Sequence, residues 1–400
     1  MIMSKDTYTE ITAQSWFSRI RDSLTGVLIG LLFFVGSFFL LWFNEGRTVK
    51  TAEALREVAK TVLVLPAPEA SPRNEGQLVY VTGTAGTAEI LRDASLGISA
   101  PATKLLREVE MYQWVESAKS ETREKVGGSK ETITTYTYET QWSGTYHDPA
   151  GFKKPEGHAN PAMTYANTTI TAQTIVLGSF LLSPRLIAKI NPTEQLALTP
   201  QDLAKLPASL RSRVKFSGNY LYIGARENPE PNLPRVGDYR IRYRVVPAAI
   251  ALSIIAKQTA DTFEPYRSQN GRLTELLETG TVSAATMVTN AQKSNQLLTW
   301  FLRLLGFILM LAGLVLIFKP LATIGAFIPV IGRILGVGTG FVAFLIALTL
   351  SLVTIAAAWV FYRPVLAVIL LFSAALPLFL LKQKNGRLKR NRRGSTVNPL

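Results

Sequence analysis

Leu24–Phe43, LTGVLIGLLFFVGSFFLLWF, is twenty residues without a charge, the length a helix needs to cross the roughly 30 Å of hydrocarbon in a bilayer. Three more apolar stretches follow late in the chain. Leu297–Phe318 is interrupted only by Arg303, and Ile334–Tyr362 is longer than a crossing requires, so it must tilt or begin in the interface. Pro364–Leu381 carries Pro377 as an expected kink. The first stretch outruns the roughly 7–15 apolar residues of a secretory signal. The Ala-x-Ala-like site at Ala52-Glu53-Ala54 lies well beyond it, behind charged residues. The reading is therefore an uncleaved anchor. Only 18% of the chain is charged, against about 25% in a soluble domain, which agrees with a large share in lipid.

The placement of charge orients the spans. Of the formal net charge of +15, seven basic residues without an acid lie in the tail directly after the last span: Lys382, Lys384, Arg387, Lys389, Arg390, Arg392 and Arg393. The positive-inside rule places them in the cytoplasm. Trp42, Trp300, Trp359 and Tyr362 then fall at the outer interface, where such rings prefer to sit. The expected division is a cytoplasmic N-terminus (1–23), span 1 (24–43), a periplasmic or lumenal domain (44–296), span 2 (297–318), a cytoplasmic loop (319–333), spans 3 and 4 (334–362 and 364–381) and the basic tail (382–400). The fold class is thus an α-helical multi-pass membrane protein with four spans and a large, strand-rich α+β extracytoplasmic domain between spans 1 and 2. That domain is nearly balanced in charge, which argues against nucleic acid as a partner.

Within residues 44–296, strands are expected at Gln77–Gly83, Glu108–Glu116, Glu131–Trp142 and Tyr239–Val246, which are rich in alternating β-branched and aromatic residues. Gly127-Gly128 between the second and third suggests a hairpin. Val109, Met111 and Val115 share one face of the second strand, and Tyr112 and Trp114 the other. Thr48–Val58 reads as a helical continuation of span 1, and Ala284–Gln296, with Ser283 as its N-cap, as a helix running into span 2.

The chemistry of an active site is not legible. The absence of cysteine removes disulfides, thiolate metal sites and Cys nucleophiles, and there is neither a Gly-x-Ser-x-Gly elbow nor a Walker loop. His147-Asp148 and Glu156-Gly157-His158 make a metal site conceivable, although loop histidines more often bond locally; no metal or cofactor is assigned. Asn167-Thr168-Thr169 is a glycosylation sequon, of consequence only in a eukaryote. Gly332, Gly336 and Gly340 repeat every four residues, as do Gly26 and Gly30. Such faces let helices approach closely, within one chain or between chains. Arg303 stands less than two turns from Trp300, so it is expected to snorkel to the interface.

The chain resembles the transmembrane protein 43 family, also called LUMA. The resemblance rests on an ordered set: Leu41-Trp42-Phe43-Asn44-Glu45-Gly46-Arg47, Asn74-Glu75-Gly76-Gln77-Leu78-Val79, the run Val109–Glu116 with Tyr112 and Trp114, and Tyr136-Thr137-Tyr138 with Trp142. Gly157-His158-Ala159-Asn160-Pro161, Glu227-Asn228-Pro229, Val236-Gly237-Asp238 and Phe361-Tyr362-Arg363-Pro364 complete it. The resemblance implies four spans with a large lumenal domain, and self-association in organising membrane protein complexes. It implies the endoplasmic reticulum and inner nuclear membrane in an animal, or the inner membrane with a periplasmic domain in a bacterium. It supplies no catalytic residues. The expected function is a non-enzymatic membrane scaffold, with the lipid bilayer and a second copy of the chain as partners. The alternative is a lipid-handling or lipid-linked enzyme of the outer leaflet, acting through the His158–Asn160 segment.

Overall fold

A computed structural model describes residues 6–191, 194–325 and 329–364, with the side chains of 325 and 329–336 left aside. The fourth expected span beyond Pro364, the basic tail and the surroundings of Gly332 and Gly336 lie outside what is described. Among the described residues, three helices carry windows apolar and long enough to cross a membrane: α1 (Trp16–Thr61), α4 (Ala284–Gly325) and α5 (Pro329–Tyr362). Between α1 and α4 lie two short helices, α2 (Pro184–Lys189) and α3 (Pro200–Lys205), and a β-rich region. The helical extensions expected on spans 1 and 2 are both present. Ser283 caps α4 by accepting the N–H of Thr286 at 3.2 Å, leaving one fewer orphan donor at the helix start.

The chain divides into two units. The first comprises, of the described residues, 6–14, 54–125, 130–191 and 194–291. Among its described residues one sheet of nine strands has the order β1–β4–β3–β8–β7–β6, where β1 is Asp6–Gln14, β3 Ser99–Glu124, β4 Lys130–Ser143, β6 Val214–Ser217, β7 Tyr220–Ile223 and β8 Tyr239–Pro247. β5 (Thr168–Thr171) also pairs with β3. A second sheet of seven strands centres on β9 (Ala249–Thr259), flanked by β2 (Leu78–Gly86) and β10 (Leu276–Thr279).

Both sheets feed one core: Leu105, Val109, Ile241 and Tyr243 from the first meet Val79, Val81 and Ile254 from the second. The adjacent Ile255 points to the other face of β9 and joins Leu55 and Val58 of α1 with Met287 and Val288 of α4. The second sheet is therefore buried on both faces. That explains why β9, AIALSIIAKQT, reads as an apolar run without alternation and was not among the expected strands. β8 behaves as its alternation predicts, with Tyr239, Ile241, Tyr243 and Val245 buried and Arg240, Arg242 and Arg244 less so.

The second unit comprises, of the described residues, 15–53, 126–129, 292–325 and 329–364. Its core is apolar, formed by Leu41 of α1, Met310 and Leu314 of α4, and Ala343 and Ala347 of α5. Gly30 and Gly313 bring α1 and α4 to backbone contact: a Cβ on Gly30 would lie 2.8 Å from the carbonyl oxygen of Gly313, and one on Gly313 2.7 Å from that of Gly30. This close approach within one chain is the packing use of small residues in lipid. Gly340 differs, since among the described residues a Cβ there meets nothing within 4 Å, and the same holds for Gly338.

β1 was not legible as a strand in a segment assigned to the cytoplasm. It runs antiparallel to β4 from Asp6↔Tyr138 to Gln14↔Lys130. This pairing requires both strands on one side of any bilayer, whereas a single crossing by residues 24–43 puts them on opposite sides. The two arrangements exclude one another. The chain lacks cysteine, so a Thr9→Cys/Thr135→Cys pair tests the register directly. A short bismaleimide should link the two thiols within one chain in native membranes. Labelling of the two positions from opposite faces, without a link, would instead establish the charge-derived topology.

Candidate functional site

Polar residues recur every four positions along α4 where it enters span 2: Asn295, Thr299 and Arg303. On a helix that spacing makes one face. In the second unit this face meets Asn44, Glu45, Arg47 and Thr48 of α1. Glu45 is fully buried. Its Oε1 accepts from Nε of Arg303 at 2.6 Å, and its Oε2 accepts from Nη2 of Arg303 at 2.9 Å and from the Trp359 indole N–H of α5 at 2.9 Å. The Arg303 side chain, 13% exposed, lies over the rings of Trp300 (4.7 Å to the centroid) and Trp359 (5.6 Å). Snorkelling was the expectation for Arg303. The structure corrects it, because a buried carboxylate within reach, bound bidentately, stabilises the guanidinium where it stands.

Two residues further along α1, Arg47 donates to Oδ1 of Asn295 (2.9 Å), Oδ1 of Asn44 (3.1 Å) and Oγ1 of Thr299 (3.2 Å). The Asn44 amide donates to the carbonyl of Thr299, and that of Asn295 to the carbonyl of Thr48, both at 3.1 Å. The Thr48 and Thr299 hydroxyls touch at 2.7 Å. Gly46 leaves room for the third helix, since a Cβ there would lie 2.6 Å from Cζ of Tyr362. All four residues of Asn44-Glu45-Gly46-Arg47 thus fasten α1 to α4 and α5. Arg363 stacks over Trp359 at 5.8 Å, and Pro364 follows at once.

Tyr112, Trp114, His158, Asn160, Pro161, Gly237 and Asp238 gather at the base of the β3–β4 hairpin, in the first unit. Asn160 brackets β3: its Oδ1 accepts the N–H of Trp114 at 2.7 Å and its amide donates to the Trp114 carbonyl at 2.9 Å. The N–H of Gly237 donates to the carbonyl of Tyr112, and the N–H of Tyr112 to the carbonyl of Asp238. Gly237 has φ +93°, with Pro161 against it. The carboxylate of Asp238 accepts from the Tyr222 hydroxyl and from the backbone N–H of Ala225 and Arg235.

His158 is 1% exposed. It stacks on Tyr138 with centroids 4.1 Å apart, stands edge-on to Trp114, and reaches the Lys154 carbonyl at 2.8 Å and Oδ2 of Asp6 at 3.0 Å. Tyr138 donates to Glu116, and burial together with that bond pushes its phenol up to about 12. The hydrogen bond from Lys154 holds Asp6 below the usual carboxylate range. His147 reaches Oγ of Ser143 instead, so the two histidines do not converge. Among the described residues no group of three His, Asp or Glu side chains could hold a metal ion.

The profile of the family described as Transmembrane protein 43 matches residues 111–364. Mouse Transmembrane protein 43 is 33% identical over 399 residues, covering 95% of this chain and 96% of the mouse protein. The chain belongs to the transmembrane protein 43 family. The human protein of that name is 32% identical over 384 residues, with 92% of each chain covered, and the Drosophila melanogaster homolog is 27% identical over 90% of this chain and 94% of its own. No solved structure matches.

In this member of the transmembrane protein 43 family, the partners of the Asn44–Arg47 motif were absent from the expected site. Asn295, Thr299 and Arg303 carried a signal, a polar stripe four residues apart on an apolar helix, but not the identity of what it faces. A buried carboxylate left without its cation costs about 3–5 kcal/mol. Arg303→Met should therefore destabilise the protein in lipid nanodiscs by that order, and Glu45→Gln by less. The double variant should recover part of the loss of Arg303→Met, as read by thermal unfolding. Additive losses would mean that the pair is not coupled.

Proposed function

We propose that the protein is a non-enzymatic membrane scaffold that self-associates and organises membrane protein complexes or membrane structure. The observation that carries the reading is the polar cluster of α1, α4 and α5. The Glu45 carboxylate, which would otherwise mark a reactive site at the end of a membrane span, takes three hydrogen bonds from Arg303 and Trp359 of the same chain. The cluster rigidifies a bundle rather than presenting a reactive group. Membership in the transmembrane protein 43 family supports the placement in a membrane. The inner membrane of a bacterium or the endoplasmic reticulum and inner nuclear membrane of a eukaryote are the compartments this reading implies.

Self-association draws its support from α5. Among the described residues nothing lies within 4 Å of where a Cβ on Gly338 or Gly340 would stand, and such a face lets a neighbouring helix approach closely. The competing reading, lipid chemistry through His158–Asn160, rested on polar side chains without a structural duty. Both have one: His158 is sandwiched and doubly hydrogen-bonded, and Asn160 holds the backbone of Trp114.

Gly340→Leu should weaken self-association at least tenfold in a dilution series of crosslinking in native membranes, with insertion and expression unchanged. Gly30→Leu, which forces apart two backbones of one chain, should instead lower stability. Crosslinking of Gly340→Leu indistinguishable from wild type would remove the α5 face from the proposal.

A further inference from the structure

Two basic side chains are buried close together on β3, and the fold treats them differently. Arg107 is 6% exposed and meets the carboxylate of Asp93 at 2.7 Å, with the Tyr243 hydroxyl on the same oxygen at 2.6 Å. Lys104 is 7% exposed, yet no carboxylate lies within ion-pair distance among the described residues. Its ammonium donates instead to two carbonyls at the end of α2, those of Ala188 at 3.2 Å and Ile190 at 2.6 Å. An ammonium has three donors, so one is left over, and so is the charge. Removing an unpaired cation from water is costly, and burial lowers the pKa of this lysine accordingly.

A cavity of about 800 Å³ has Lys104 in its wall. Small-ligand sites typically measure about 300–1,000 Å³. Thr169, Thr171 and Gln173 add polar groups to the lining, and Leu106 and Ile187 an apolar side. Thr171 stands directly opposite Lys104 in the register of β3 with β5. A buried cation, hydroxyl and amide donors, and an apolar flank in one cavity are the complement of an oxyanion carried on an apolar tail.

We propose that this cavity binds an amphiphilic carboxylate, with its head on Lys104 beside Thr171 and its tail along Leu106 and Ile187. The bland account is that Lys104 only caps α2, favourably placed at the negative end of a helix. That account explains the two carbonyl bonds. It leaves the third donor, the uncompensated charge and the adjoining cavity without a role. The proposal is independent of the scaffold reading, because it concerns the first unit alone and needs no second copy.

Hexanoate and 1-hexanol serve as matched probes, soluble and equal in tail length, titrated calorimetrically into the full chain in nanodiscs. The wild type should bind hexanoate at least tenfold more tightly than hexanol. Lys104→Met, which keeps an apolar stem and removes the charge, should abolish that preference. Thr171→Trp, which fills the cavity from an exposed position without touching the carbonyl bonds of Lys104, should abolish hexanoate binding. Equal affinity for the two probes, or no binding of hexanoate by the wild type, overturns the proposal even if Lys104→Met fails to fold. Unchanged crosslinking of the same preparations would show that self-association stands apart from either result.

Discussion

A carboxylate at the end of a membrane span must have a cation or a proton, and the pairing of Glu45 with Arg303 is the constraint on which the helical unit depends. The bidentate geometry fixes direction as well as distance. With it the register of α1 against α4 is set along the whole contact, because the helices run antiparallel and their contacts step in order. Gly30 meets Gly313 and Leu41 meets Gly306. Glu45 meets Arg303 and Thr48 meets Thr299. A shift by one residue would separate the ion pair and drive side chains into the glycine contact at once. The apolar core between these helices, by contrast, tolerates sliding. Leucines and alanines in lipid offer little directional preference, so the polar cluster and the glycines carry the specificity.

In the β-rich unit the same economy is visible on β3. Its first half pairs with β8 and its second half with β4, so this one strand spans the core and the projecting hairpin. Where the strand passes from one environment to the other, the motif residues crowd in: Asn160 on the Trp114 backbone, Gly237 and Asp238 on that of Tyr112, and His158 between Tyr138 and Trp114. These residues satisfy backbone groups at a point where a regular sheet partner ends, a cost that a buried edge otherwise leaves unmet. Buried charge along the strand is compensated at Arg107 by Asp93 and at Asp238 by Tyr222 and two backbone donors. Lys104 is the contrast that makes its cavity informative.

Much of this architecture was legible before the structure. The apolar windows of α1, α4 and α5 announce themselves through length. The alternation of β8 and the Thr- and Tyr-rich run of β4 report strands with two unlike faces. β9 did not report itself, since burial on both sides erases alternation. β1 was hidden for another reason: a polar segment of nine residues, mostly exposed, becomes a strand only because β4 offers it an edge. Arg303 departs from the snorkelling its local sequence predicts, because Trp300 three residues before it suggests the outer interface while its partner Glu45 is 258 residues away.

What the sequence determined by itself is what depends on composition along a continuous stretch. That covers the membrane character, the helical windows, the strand-rich nature of the middle region and, through the ordered motifs, membership in the transmembrane protein 43 family. The tertiary structure decided which distant polar groups neutralise one another. Local pattern measures how a segment meets solvent or lipid. The pairing of Glu45 with Arg303, the bracketing of Trp114 by Asn160 and the lack of an acid beside Lys104 among the described residues are facts about through-space neighbours, which electrostatics senses and sequence spacing does not record.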